Sequence, residues 1–200
     1  MTSRWLAAIL LFLCVAPASA FAQSTPMRVR GVIEKLDGAN LTVNSRDSGM
    51  ITIRLADNWS VGGLKPAKLE DIKAGDFVGV AAMPQSDGTM RAMEVLVFPP
   101  GAKGGEGHYP WDLAPESTMT NASVTETVQG VSGRTLKLTY QGGEKSIVVP
   151  PDAPVVTFAP ADKADVKPGM SVFIGAQKQS DGSLTAMRVT VGNNGVAPPM

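Results

Sequence analysis

The sequence predicts an all-β protein: two tandem small five-stranded OB-like barrels, each with one short helical turn, following a signal peptide. Three observations predict it. Gln85-Ser86-Asp87-Gly88 returns as Gln179-Ser180-Asp181-Gly182, 94 positions later. Around these turns apolar residues recur at the same offset: Val78, Val80 and Ala82 match Val172, Ile174 and Ala176, and Ala92, Met93, Val95 and Val97 match Ala186, Met187, Val189 and Val191. In both copies they alternate with other residues, the period-two pattern of strands that bury one face. A period this long does not suit solenoid or propeller repeats, so each copy is expected to be a small domain.

The first 22 residues come before the repeats. Arg4 is the single charge before position 28, the run Trp5–Val15 is apolar, and Ala20 and Ala22 are small residues suited to cleavage. This is the pattern of a secretory signal peptide. Its apolar core is short for a membrane span, and no later stretch approaches the length a span needs. Cys14 follows Leu13, where lipid attachment wants a small residue, and it is the only cysteine. A chain cleaved after Ala22 has no thiolate chemistry and no disulfide. It also loses Arg4, leaving 17 Lys plus Arg against 18 Asp plus Glu. That balance, without a basic stripe or a polybasic helix, argues against nucleic acid and against membrane-surface attachment.

The first repeat spans residues 26–99. Val29, Gly31 and Ile33 alternate with Arg28, Arg30, Val32 and Glu34, Asp37-Gly38 marks a tight turn, and Leu41, Val43, Ile51, Ile53 and Leu55 continue the pattern through two further strands. Pro66 to Gly75 changes period and predicts one helical turn. Residues 77–83 and 90–98 are the fourth and fifth strands. Five short strands with a helical turn after the third match an OB-like barrel, and a flattened β-sandwich is the alternative. A closed sheet has one interior face and hides its edges, so alternation suffices to fill it.

Residues 100–121 break the alternation with Pro, Gly and the close-set rings His108, Tyr109 and Trp111. These rings are expected to anchor the linker on a barrel; a ligand-contact loop is the second reading. The second repeat spans 122–192. Its upstream part pairs with the first copy at offset 95, placing Val128 and Val131 opposite Ile33 and Leu36. Pro150, Pro151 and Pro154 limit its third strand. Glu94, Arg91 and Phe77 become Arg188, Thr185 and Ser171, substitutions expected on outer faces. Residues 193–200 are expected to be a disordered tail. A barrel of about 70 residues is marginal alone, so the two copies are expected to pack on each other.

The chemistry-bearing residues are few. His108 is the sole histidine, which leaves no second imidazole for a Ser-His-Asp arrangement. Asp87 and Asp181 recur at turns, where Asp bonds its own backbone. Methionines suit Cu(I) in an oxidising compartment, but Met93 recurs as Met187 among positions read as core. Gly62-Gly63 and Gly104-Gly105 lack a phosphate-loop spacing. No cofactor is expected and no metal ligand set is assigned. The candidate binding residues are His108, Tyr109 and Trp111 in the linker and Trp59 in the first repeat.

The repeated order of apolar strand, Gly turn, Leu-x-Val, Asp-x-Lys-x-Gly and Asp-Gly-x-x-x-Ala resembles a family of bacterial exported domains of unknown function. Some relatives of that kind carry labels as metal ABC transporter components. The resemblance implies no activity and no functional residues. The expected function is an exported, soluble, non-enzymatic binding or structural module, periplasmic or secreted, whose ligand or partner is open. The alternative is a periplasmic metal-handling accessory protein for Cu or Zn.

Overall fold

A computed structural model describes residues 26–131, 133–193 and 195–198; the signal-peptide reading and Cys14 lie outside them. The strands, in chain order, are β1 (Met27–Asp37), β2 (Asn40–Ser45), β3 (Gly49–Pro66), β4 (Phe77–Pro84), β5 (Met90–Val97), β6 (Gly107–Pro110), β7 (Thr118–Gly130), β8 (Gly133–Tyr140), β9 (Gly143–Val149), β10 (Val155–Ala159), β11 (Ser171–Lys178) and β12 (Leu184–Gly192). Single 3-10 turns at Leu69–Asp71 and Lys163–Asp165 follow β3 and β10. Among the described residues no helix is long and apolar enough to cross a membrane.

The strands close into two five-membered rings, the two-barrel all-β architecture expected from the sequence. In the first, β1 pairs β2, β2 pairs β3, β3 pairs β12 in parallel, β12 pairs β11, and β11 returns to β1. In the second, β4 pairs β5 and β7, β7 pairs β8, β8 pairs β9, and β9 meets β5 in parallel. Each ring encloses its own aliphatic core. The first is built on Ile33, Leu41, Ile53, Leu55 and Ile174, the second on Val78, Val80, Leu136, Leu138 and Ile147, all at 1 % exposure or less.

The rings are not the two sequence segments. The first barrel takes three strands from residues 26–66 and two from 171–192, and the second is the unbroken stretch from β4 to β9. The expected barrels at 26–99 and 122–192 are therefore corrected: the first three strands of each segment are completed by the last two of the other. The cause lies in β3, which runs through 18 residues. At about 3.3 Å per residue it runs past the end of its pairing with β2 at Arg54, stays paired with β12 as far as Leu64 and delivers the chain to the second barrel, where β4 begins. Closing the segment on itself would require a reversal that β3 does not make.

The registers of the two rings correspond. Leu184↔Ile53 and Val189↔Val61 in the first barrel recur as Met90↔Ile147 and Val95↔Val155 around the second. Between the barrels β3 and β10 cross antiparallel with Leu64 opposite Phe158. These two residues are themselves 94 positions apart, so a local two-fold axis passes between them. Leu64, Leu96 and Val156 form a small buried cluster there, with Phe98, Phe158 and Val196 against it. A Cβ on Gly63 would lie 2.9 Å from the Ala159 carbonyl oxygen, so only glycine allows this crossing without a shift.

Register also corrects the upstream alignment. Ile33 pairs with Val43 at a β-bulge in the first hairpin, and Val124 pairs with Leu138 at a β-bulge in the second. Val124, not Val128, is thus the counterpart of Ile33, an offset of 91. The β7–β8 hairpin is longer by four residues, which carries Val128 (42 % exposed) and Val131 (109 %) out to solvent. Met93 and Met187 both sit at the bulged position of the last strand in their segment. However, Met93 is half-buried and Met187 is 60 % exposed, so the core reading of Met187 is corrected.

The repeated turns agree bond for bond. The Asp87 carboxylate accepts from the Thr89 amide at 2.9 Å and hydroxyl at 2.6 Å; Asp181 accepts from the Ser183 amide at 2.9 Å and hydroxyl at 2.7 Å. The bonds from Thr89 and from Ser183 hold both carboxyls below the ordinary aspartate value. Gly88 and Gly182 have φ of 81° and 85°, a conformation that excludes most other residues. These aspartates shape turns, as their position beside glycine indicated.

Candidate functional site

The linker is not a loose spacer. After β5, Phe98 meets Phe77 edge-on at 5.2 Å, and the Lys103 ammonium lies 5.5 Å from the Phe77 ring. Residues 107–110 then form β6, which pairs with β7 beside its bonds to β4. Phe98, Lys103 and the Asn121 side chain lie over Phe77 and Gly79 on the outward side of β4, and its residues from Phe77 to Ala82 are all buried. Phe77 and Glu94, expected on an outer face, are only 5 % and 6 % exposed. At Phe77 and Glu94 the outer face of the second barrel is interior to the molecule.

The four candidate residues fall into two groups. His108 Nδ1 lies 2.8 Å from the Thr120 hydroxyl, and its ring stacks on Tyr140 at 6.1 Å. Burial, with a smaller contribution from Lys145, lowers the His108 pKa below its ordinary value, so the neutral ring is favoured. The Tyr109 hydroxyl accepts from the Asn121 amide at 2.8 Å, and burial raises its pKa. Trp111 sits 6.0 Å from Tyr109 and carries the Arg28 guanidinium 3.8 Å from its ring centroid. Trp59 stands apart, packed on the first barrel's core with the Lys163 ammonium 4.7 Å from its ring. The structure thus brings His108, Tyr109 and Trp111 together along one strap, the linker residues 98–117, and leaves Trp59 with a different set of neighbours.

The strap is fastened to both barrels. β6 holds it to the second. Asp112 holds it to the first, accepting from Arg30 at 2.8 Å and Arg28 at 3.4 Å on the outward face of β1. Burial alone would raise the Asp112 pKa, but the bond and charge of Arg30, followed by those of Arg28, outweigh it and hold the carboxyl below its ordinary value. Arg30 also lies 5.9 Å from Trp111 and 5.4 Å from Phe173. Such contacts are each worth about 0.5–2 kcal/mol. The alternation Arg28, Arg30 before Gly31 was the sequence signal for this outward pair; only the spatial arrival of Asp112 gave it a purpose.

The tail also departs from its expected disorder in the residues described. The Asn193 amide donates to the Leu64 carbonyl at 2.8 Å, Val196 packs on the central cluster, and Pro198 is buried. Ala197 and Pro198 help line a cleft of about 330 Å³ between the barrels, with Arg30, Glu94, Leu113 and Pro154 among its walls.

No group of three or more His, Cys, Asp or Glu able to hold a metal occurs among the described residues. His108 is already engaged by Thr120 and Tyr140, Tyr109 by Asn121 and Asp112 by its two arginines, while the buried Trp111 Nε1 has no hydrogen-bond partner among the described residues. The arrangement holds a surface in shape, and the hydroxyl that meets His108, that of Thr120, is fully buried.

Residues 30–95 match a family model described as a domain of unknown function, DUF5666. That stretch runs from within β1 to within β5, so it contributes strands to both barrels. No curated protein and no solved structure matches the chain.

Proposed function

We propose that the protein is an exported, non-enzymatic binding or structural module, built by duplication of a five-stranded unit. The observation that carries this reading is the filled interior of both barrels, combined with a strap whose rings and charges are spent on fastening the barrels together. OB-like barrels present ligands with an outer surface because side chains leave no room inside. Export rests on the apolar N-terminal run and on the small residues before Gln23.

Recovery of the protein from the cell envelope tests both parts. The expected result is a mature N-terminus at Gln23 or Phe21, with cross-linking to an envelope component that saturates and yields no chemical product. An intact N-terminus in the cytoplasmic fraction overturns export, and catalytic turnover overturns the non-enzymatic reading. Titration with Cu(I) and Zn²⁺ separates the metal-handling alternative: tight stoichiometric binding that His108→Ala abolishes would establish it.

A further inference from the structure

At one end of the first barrel, β3 departs from its partner. Leu55 pairs with Ala186 and Ser60 with Arg188, so four residues of β3, Ala56 to Trp59, face the single Met187 on β12. This wide bulge pushes Asp57 and Asn58 outward, while Trp59 packs back on the core and pins its far side. An open cleft of about 450 Å³ lies against it, lined by Arg54, Ala56, Asp57, Asn58 and Thr185. A second cleft of about 170 Å³ adjoins it, sharing Ala56 and Thr185 and adding Met187 and Arg188.

The second barrel carries the corresponding segment with opposite chemistry. Ala56, Asp57, Asn58 and Trp59 are replaced there by Pro150, Pro151, Asp152 and Ala153, and Arg54 by Val148. Its corresponding cleft, of about 330 Å³, includes Arg91, Asp87 and Gln85. All three are occupied: Arg91 by Asp152 at 3.7 Å, Asp87 by Thr89, and Gln85 by backbone carbonyls. In the first barrel, among the described residues, the side chains of Arg54, Asp57 and Asn58 make no hydrogen bond and no ion pair.

We propose that the bulge Ala56–Asn58, with Arg54 and Thr185, is a binding site for a neutral saccharide. This deepens the module reading and rests on it. One guanidinium, one carboxylate and one amide, with the Thr185 hydroxyl that accepts from Gln179 at 2.7 Å and keeps its proton to donate, offer donors and acceptors in balance. A ligand of fixed charge would be opposed by one of the two charged groups, whereas sugar hydroxyls both donate to the carboxylate and accept from guanidinium and amide. The exposed Met187 and the half-buried Ala56 supply apolar surface for the C–H face of a ring. Bulges re-aim side chains at barrel rims, and small barrels of this class bind oligosaccharides on their outer surface.

The test is amide-resolved NMR of the full chain titrated with chitotetraose and with cellotetraose, with reducing ends measured in the same samples. The expected result is saturable shifts confined to residues 54–58 and 185–188. Asp57→Ala and Asn58→Ala should each weaken binding about tenfold, the loss of one or two polar contacts, while Arg91→Ala in the second barrel leaves it unchanged. Both loop residues are exposed, and unchanged shifts in the two cores verify that the variants fold. Absence of shifts with either sugar, or shifts centred on the strap, overturns this site while leaving the module reading in place. New reducing ends would overturn the module reading itself.

Discussion

The two barrels share a register and differ in what lies outside it. In β4 every residue from Phe77 to Ala82 is buried, with Phe98, Lys103 and the Asn121 side chain over its outward side. In β11, its counterpart, interior Val172, Ile174 and Ala176 alternate with more exposed neighbours. Val78 and Val172 nevertheless occupy the same place, opposite Ala122 and Gly31 at corresponding registers. Barrel closure dictates the interior, and the path of the linker dictates the exterior. The barrel that the strap meets only through Trp111, Asp112 and their arginines is also the one whose rim keeps polar groups unspent.

The largest expected difference between the barrels concerns autonomy. Residues 75–159 contain all five strands of the second barrel, whereas residues 26–99 contain three strands of one and two of the other. The first fragment should fold cooperatively by circular dichroism and give dispersed amide resonances. The second should be unfolded or should associate, since no closed ring of strands can form within the arrangement seen. A monomeric, fully folded 26–99 fragment would remove the distinction.

Equivalence of the interiors is sharpened by paired truncations. Ile53 and Ile147 are both fully buried and occupy matching places in the parallel pairing. Ile53→Ala and Ile147→Ala should each cost about 2–5 kcal/mol in denaturant unfolding. A cost confined to one of them would show that only one barrel limits stability.

The strap gives a smaller effect with a pH signature. Asp112→Ala removes the acceptor for Arg28 and Arg30 and should cost about 1–3 kcal/mol, with a red-shifted and more quenchable Trp111 emission. The Asp112 pKa is depressed in the folded state, so its stabilisation is complete above the ordinary aspartate value of about 3.9 and is lost as pH falls through the lowered one. The depressed His108 pKa acts in the same direction at higher pH, because protonation below about 6.5 disfavours the packed ring. Arg91→Ala should be the mildest change. Its pair with Asp152 is exposed, 45 % and 84 % on the two sides, and such pairs contribute roughly 0–1 kcal/mol.

Strands, turns and the 3-10 turns were legible in the sequence because each is a local pattern: alternation for Val78 and Val80, Asp-Gly at the turns, and Pro66 before the first helical turn. The exchange of strands was not. β1 meets the same interior pattern whether it closes on β4 or on β11, since Val78, Val80 and Ala82 match Val172, Ile174 and Ala176. The hairpin register misled for a related reason: Val128 and Val131 mimic core residues, and only pairing reveals them beyond the barrel. In the strap, β6 is four residues long and ends in proline, too short for periodicity to show. The rings of His108, Tyr109 and Trp111 did signal a fastened segment, but Asp112 and its arginines are 82 or more positions apart. The bulge at Ala56–Trp59 left no local trace except Trp59, because four residues opposite one is a property of two strands.

Strand exchange between the two sequence segments is tested most directly by cross-strand disulfides in a Cys14→Ser background. Val32 lies opposite Ser171 across β1 and β11, within the reach a disulfide requires. The exchanged arrangement predicts that Val32→Cys with Ser171→Cys oxidises rapidly to an intramolecular bridge with unchanged fold. Val32→Cys with Phe77→Cys, the pair that self-closed segments would juxtapose, should stay reduced; rapid bridging of that second pair and none of the first would contradict the architecture.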